Sequence, residues 1–160
     1  MEGENPTRRY KWFRPRQAAY GFGVISSPTN FGTIWLFNDS PGQFYLAVRD
    51  WHTQNVGASR ISVYNAQGAQ GTKAREGVSY MQSTGKVPGA IYTQDVTSNV
   101  QNAYLFDNNA FSGSWYHDFP LGVVEPGWSL GFQNQTQAGF MGCSLIWEWL
   151  SADQLDFLDW

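Results

Sequence analysis

The chain has 160 residues and a net charge of −3, with 14% of its residues charged and 17% aromatic. That length fits one domain, large enough to bury roughly 70% of its unfolded surface, so a core needs neither a metal nor a disulfide, and the single cysteine, Cys143, has no partner for an internal bridge. Ordinary globular domains carry ~25% charged residues, so this surface draws its polarity from Ser, Thr, Asn and Gln, and its weak charge repulsion suits a surface covered by partners.

Charge is concentrated at the ends. Residues 1–16 hold Arg8, Arg9, Lys11, Arg14 and Arg16 against Glu2 and Glu4, while residues 148–160 hold Glu148, Asp153, Asp156 and Asp159 and no base. The opening residues are acidic and polar and predict no secretory signal. No apolar run approaches the ~18 residues of a membrane span. Asn38-Asp39-Ser40 and Asn134-Gln135-Thr136 match the glycosylation pattern and, without a signal peptide, read as chance.

Residues 1–19 read as an extended arm. Pro6 and Pro15 break any helix, and Tyr10, Trp12 and Phe13 are interleaved with the bases without a 3.6-residue period. From Tyr20 the period is two: Tyr20, Phe22 and Val24 alternate with glycines before a turn at residues 26–30. Phe31–Phe37 and Phe44–Trp51 read as the two strands of a hairpin around Asn38-Asp39-Ser40-Pro41-Gly42. Arg60–Tyr64 is a third strand, and residues 66–77 form a long exposed loop. Val78–Met81, Ala90–Thr93 and Ala103–Phe106 are weaker strands, with loops at residues 107–109 and 111–113.

Leu121–Val124 leads through Glu125-Pro126-Gly127 into Trp128–Phe132. After a turn at residues 134–139, Gly142–Leu150 places Cys143, Leu145, Trp147 and Trp149 on one pleat face, which demands an opposing layer. Ser151 with Gln154 fits a capping box, so a short helix follows, and Leu155, Phe157, Leu158 and Trp160 need something to dock on. The sum is an all-β fold: an antiparallel β-sandwich or jelly roll of eight to ten short strands over residues 20–150, with the arm at 1–19 and an acidic tail at 151–160. Its core is expected to come from the Trp, Phe and Tyr rings, each burying ~150–250 Å².

Catalytic and metal chemistry find little support. His117 next to Asp118 makes a triad with one of the serines on paper, but no nucleophile elbow accompanies it, and neighbours on a strand point to opposite faces. There is no Cys pair, no His-x-His and no zincin motif, and Asp107-Asn108-Asn109 does not match a calcium loop, so no metal and no cofactor are expected. Glycine clusters at Gly21-Phe22-Gly23 and at residues 68–71 do not join a strand to a helix and are not phosphate loops. A hydrolase built on an unrecognised acid pair is the weakest of the function classes.

The arm residues Arg8, Arg9, Tyr10, Lys11, Trp12, Phe13, Arg14 and Arg16 suit either single-stranded nucleic acid, through phosphate contact and stacking, or a neighbouring subunit whose acidic rim receives the guanidiniums. The second reading is preferred, because the sequence pI of about 5.2 repels a polyanion from the body. With the arm and tail of opposite sign, the ends are expected to act as assembly devices. Trp115 and Tyr116, read as a loop beside Asp118, are the candidate glycan contacts, since rings stack on sugars.

The run Pro120-Leu121-Gly122-Val123-Val124-Glu125-Pro126-Gly127-Trp128-Ser129-Leu130-Gly131-Phe132, followed by Cys143-Ser144-Leu145-Ile146-Trp147-Glu148-Trp149, resembles the closing strands of small β-sandwich proteins of tailed-bacteriophage virions. These are head decoration proteins, head fibres, and tail or baseplate attachment modules. The resemblance covers about 30 residues as a closing hairpin and leaves out the arm; a low-Lys, aromatic composition accompanies it. It implies a non-enzymatic virion protein, made in a host cytoplasm, that attaches to a capsid or tail as a homo-oligomer, first of all a trimer, beside other virion proteins. The alternative is a carbohydrate-binding module or receptor-binding tip.

Overall fold

The computed structural model describes residues 15–40, 43–55, 59–81, 86–98, 104–108, 113–117 and 122–155. A 3-10 turn at Pro15–Gln17 leads into twelve strands among the described residues: β1 (Ala18–Ser26), β2 (Phe31–Phe37), β3 (Tyr45–Asn55), β4 (Ser59–Gln67), β5 (Thr72–Glu76), β6 (Val78–Ser79), β7 (Ala90–Val96), β8 (Tyr104–Asn108), β9 (Gly113–His117), β10 (Gly122–Val124), β11 (Trp128–Asn134) and β12 (Phe140–Leu150). One helical turn, α1 (Ala152–Leu155), follows. The all-β sandwich and the short C-terminal helix are as the periodicity predicts. The strand total exceeds eight to ten because β5 and β9 lie in segments whose sequence predicts loop. β5, Thr-Lys-Ala-Arg-Glu, is exposed at nearly every position and has no apolar alternation to reveal it; its pairing with β7 makes it a strand.

The strands form two six-stranded antiparallel sheets. The first runs β10-β3-β12-β1-β6, with β9 sharing the outer edge of β3 end to end with β10; the second runs β5-β7-β2-β11-β4-β8. Among these strands no two consecutive ones pair. Setting aside β5–β7 and counting β9 and β10 as one interrupted edge strand leaves eight strands, which pair first with last, second with seventh, third with sixth and fourth with fifth. That is one long hairpin rolled onto itself, the jelly-roll connectivity. Residues 68–103, between the fourth and fifth strands of the roll, are an insertion whose β7 and β5 extend the second sheet and whose β6 extends the first.

This connectivity overturns two predicted hairpins. Phe31–Phe37 and the strand after it lie in different sheets, and so do β11 and β12 of the closing motif. Both connecting segments cross between layers, and a buried asparagine pins each one. Asn38 donates its amide to the carbonyls of Phe44 (2.8 Å) and Val124 (2.9 Å), while its oxygen accepts from the Ser40 backbone N–H (3.2 Å) and hydroxyl (2.6 Å). Asn134 accepts from the Thr136 N–H at 3.0 Å and donates to the Phe140 carbonyl at 3.4 Å. These are the asparagines of the two glycosylation patterns; both are fully buried, so the folded chain offers neither to an enzyme.

The core lies between the sheets. Cys143, Leu145 and Trp147 of β12 face Ile34, Leu36 and Phe132 of the second sheet, as the alternation in 142–150 predicts. Trp51 meets Phe132 across the layers with ring centroids 5.6 Å apart. At ~25 cal/mol per Å², a fully buried ring of this kind contributes about 4–6 kcal/mol of transfer free energy. The indole of Trp147 also donates to the Pro88 carbonyl at 2.8 Å and fills a cradle at Gly77 and Gly89, where any Cβ would come within 3.0 Å of its ring. Asp39 accepts from the Gly89 N–H at 2.9 Å and pairs with Lys86 at 2.7 Å, so the insertion is fastened to the roll at two points.

Candidate functional site

β1 is inverted relative to ordinary strand logic. Its large side chains Tyr20, Phe22 and Val24 point to solvent, and Ala19, Gly21 and Gly23 point into the core. Packing between the layers dictates this. A Cβ on Gly21 would lie 2.8 Å from Ile91 and 3.1 Å from Trp147, and one on Gly23 would lie 2.8 Å from Ile34. Backbone meets side chain there with no room for more, which is the positional meaning of glycine inside a strand. Rings do supply the core elsewhere, at Trp35, Trp51, Phe132 and Trp147, whereas in β1 the glycines are the inner face.

The insertion completes the surface that β1 begins. β6 pairs with β1 through Tyr20 and Val78, the Tyr80 N–H donates to the Ala18 carbonyl at 2.9 Å, and the Tyr20 and Tyr80 rings meet edge to face at 6.4 Å. Tyr20, Phe22, Val24, Val78, Tyr80 and Met81 thus form one apolar patch, each member between 44% and 54% exposed. The only other large hydrophobic side chain exposed among the described residues is Trp128, far along the chain on β11. Charge touches the patch at Phe22, where the Arg75 guanidinium carbon lies 3.4 Å from the ring centroid. Lys73 and Glu76 on the same edge strand pair with each other.

The same sheet face is polar farther along. A register shift in β3 opposite Ile146 and Trp147 leaves Arg49 as an extra residue, and its guanidinium reaches the buried Glu148 carboxylate at 3.1 Å. Ser144 Oγ lies 3.5 Å from His52 Nδ1 on neighbouring strands. Both side chains are half-buried, and among the described residues no carboxylate is shown on the imidazole to complete a triad. Among the described residues no three His, Cys, Asp or Glu side chains converge as metal ligands. The Cys143 thiol is fully buried, which raises its pKa far above the ordinary range and leaves it protonated.

Of the predicted assembly residues, Arg16 is exposed on the turn at Pro15–Gln17 and Leu155 is half-buried on α1. Arg8, Arg9, Tyr10, Lys11, Trp12, Phe13 and Arg14, with Phe157, Leu158 and Trp160, lie outside the described residues. The roots of both ends meet. The Gln17 and Gln154 amides bond reciprocally at 3.5 and 3.3 Å, and Gln154 also caps the Ser151 N–H at 3.0 Å, the capping-box contact the sequence predicts. β1 already starts at Ala18, so the sheet takes in the last two residues read as arm. Trp115 and Tyr116 are not in a loop: their backbone pairs with Thr53 and His52 as part of β9. His117 pairs with Trp51, and Asp118 is outside the described residues.

Asn65, Val123, Val124, Glu125 and Trp128 line a shallow depression of about 190 Å³ at the end of β10. Sequence reasoning missed both this depression and the outward patch. The signal for the patch was present, since rings alternating with glycines mark a strand whose small face approaches other backbone closely. No protein-family model, no curated protein and no solved structure matches the chain.

Proposed function

We propose that the protein is a non-enzymatic structural subunit of a phage virion, made in the host cytoplasm, that attaches to a capsid or tail and stabilises or decorates it. The observation that carries this reading is the apolar patch on β1 and β6, set beside the roots of both charged ends. A patch of this kind on a chain with so little surface charge is an interaction surface by its physics. Jelly rolls serve viral capsids and lectins among other tasks, and that support is fold-level analogy. The resemblance of the closing strands points the same way. Partners in this reading are copies of the same chain and other virion proteins, with no membrane and no cofactor. Nucleic acid is disfavoured by the acidic body.

The test is removal of residues 1–14, which leaves the docked turn at Pro15–Gln17 in place. The truncated protein is expected to keep its circular-dichroism spectrum and to lose incorporation into particles when co-expressed with them. Normal incorporation sinks the arm as an attachment device. A second reading, a carbohydrate-binding tip, is favoured by Trp128, whose exposed ring stands beside Glu125 and Asn65. A glycan-array signal lost in Trp128→Ala or Trp115→Ala supports that reading, and an empty array removes it.

A further inference from the structure

We infer that the patch of Tyr20, Phe22, Val24, Val78, Tyr80 and Met81 is the contact between two copies of this chain, packed face to face about a two-fold axis. This rests on the structural role proposed above and names the partner for one of its surfaces. With aromatic side chains of ~150–250 Å² and the two valines and the methionine toward the lower end of that range, full burial of the six would remove at most about 600 Å² per copy, or about 1,200 Å² for the pair, a ceiling that reaches the ~1,000 Å² of a specific interface.

The chemistry of the patch selects a copy of itself. It presents three strand side chains on one pleat face and three from the insertion beside them; Arg75 lies over the Phe22 ring, and the nearby charges of Lys73 and Glu76 on β5 are paired with each other. A heterologous partner is ordinarily chosen by complementary charge, and this surface has almost none to offer. An apolar sheet face matches another of its kind by sheet-on-sheet packing at ~10 Å, and a two-fold axis sets the same residues on both sides. The backbone beneath is rigid, because Trp147, Gly77 and Gly89 hold the insertion against β12. The patch is therefore preorganised and pays little ordering entropy on contact. The trimer implied by the closing-strand resemblance would need a contact between two different surfaces instead.

The experiment is light scattering on the full chain across micromolar concentrations, with Val24→Glu as the variant. The wild type is expected at twice the chain mass and Val24→Glu at the chain mass with an unchanged circular-dichroism spectrum. A monomeric or trimeric wild type overturns the proposal, and so does a Val24→Glu dimer. Should Val24→Glu fail to fold, Val24→Cys with a short bis-maleimide gives an independent readout, because the buried Cys143 does not compete for the reagent. Cross-linked pairs from Val24→Cys but not from Gln67→Cys are expected, and their absence overturns the contact. Particle incorporation is read separately. A monomer that still incorporates sinks this contact alone, whereas a dimer with no affinity for any particle sinks the structural role.

Discussion

Glycine and ring exchange their usual places in β1, and a pair of single substitutions tests this. Gly21→Ala puts a Cβ 2.8 Å from Ile91 and is expected to cost about 1–3 kcal/mol as overpacking. Phe22→Ser, measured at concentrations low enough to keep the chain monomeric, removes a ring that stands half in water in the single chain and is expected to cost less than about 1 kcal/mol, mainly its contact with Arg75. Chemical denaturation of the two variants should therefore rank the smaller change as the more damaging. Burial also sets an alkaline limit on stability. Burial raises the Cys143 thiol from the ordinary 9.0 and the Tyr64 phenol from the ordinary 10.0. Both are neutral when protonated, so above those ordinary values the unfolded chain loses protons that the folded chain keeps. Their stabilisation is complete below about pH 9 and declines as pH rises past it. Tyr64→Phe and Cys143→Ala, followed by thermal melts from pH 8 to 11, should both show a shallower alkaline decline than the wild type.

Elements were legible where burial is one-sided and opaque where it is not. The alternation in β12 places Cys143, Leu145 and Trp147 correctly in the core, because a sheet with one wet face imposes a period of two. β5 left no such trace, being an edge strand whose charged side chains also guard the edge against pairing. The two expected hairpins failed for a reason that turn residues do not encode. Asn38-Asp39-Ser40 turns the chain in either topology, and what sends it to the other layer is the seat that Asn38 finds between the carbonyls of Phe44 and Val124. Asn38→Ala takes this donor from the Val124 carbonyl, while the Phe44 carbonyl keeps the Ser40 hydroxyl at 2.9 Å, and it is expected to cost about 1–3 kcal/mol, the range for one buried polar group left unpaired. A denaturation midpoint unmoved by the substitution would show that the crossing is held by something else.

At the scale of the whole molecule the rolled hairpin makes every sheet contact non-local. No consecutive strands pair among those described, and β1 closes against β12 from the far end of the chain. Such a topology folds in milliseconds to seconds rather than microseconds, because loop closure precedes any reward from pairing. Stopped-flow refolding is expected to show its main phase in that slow range, and a sub-millisecond main phase would contradict the topology. The sequence by itself determined the all-β class, the capping box at Ser151 and Gln154, the apolar inner face of β12 and the opposite charges of the two ends, because these depend on residue type and local period. Only the tertiary structure decided which strands are neighbours, that the β1 rings face outward and that the insertion joins them in one patch. Those outcomes depend on how closely one layer approaches the other, and that distance is set at Gly21, Gly23 and Trp147 by residues distant from one another in the chain.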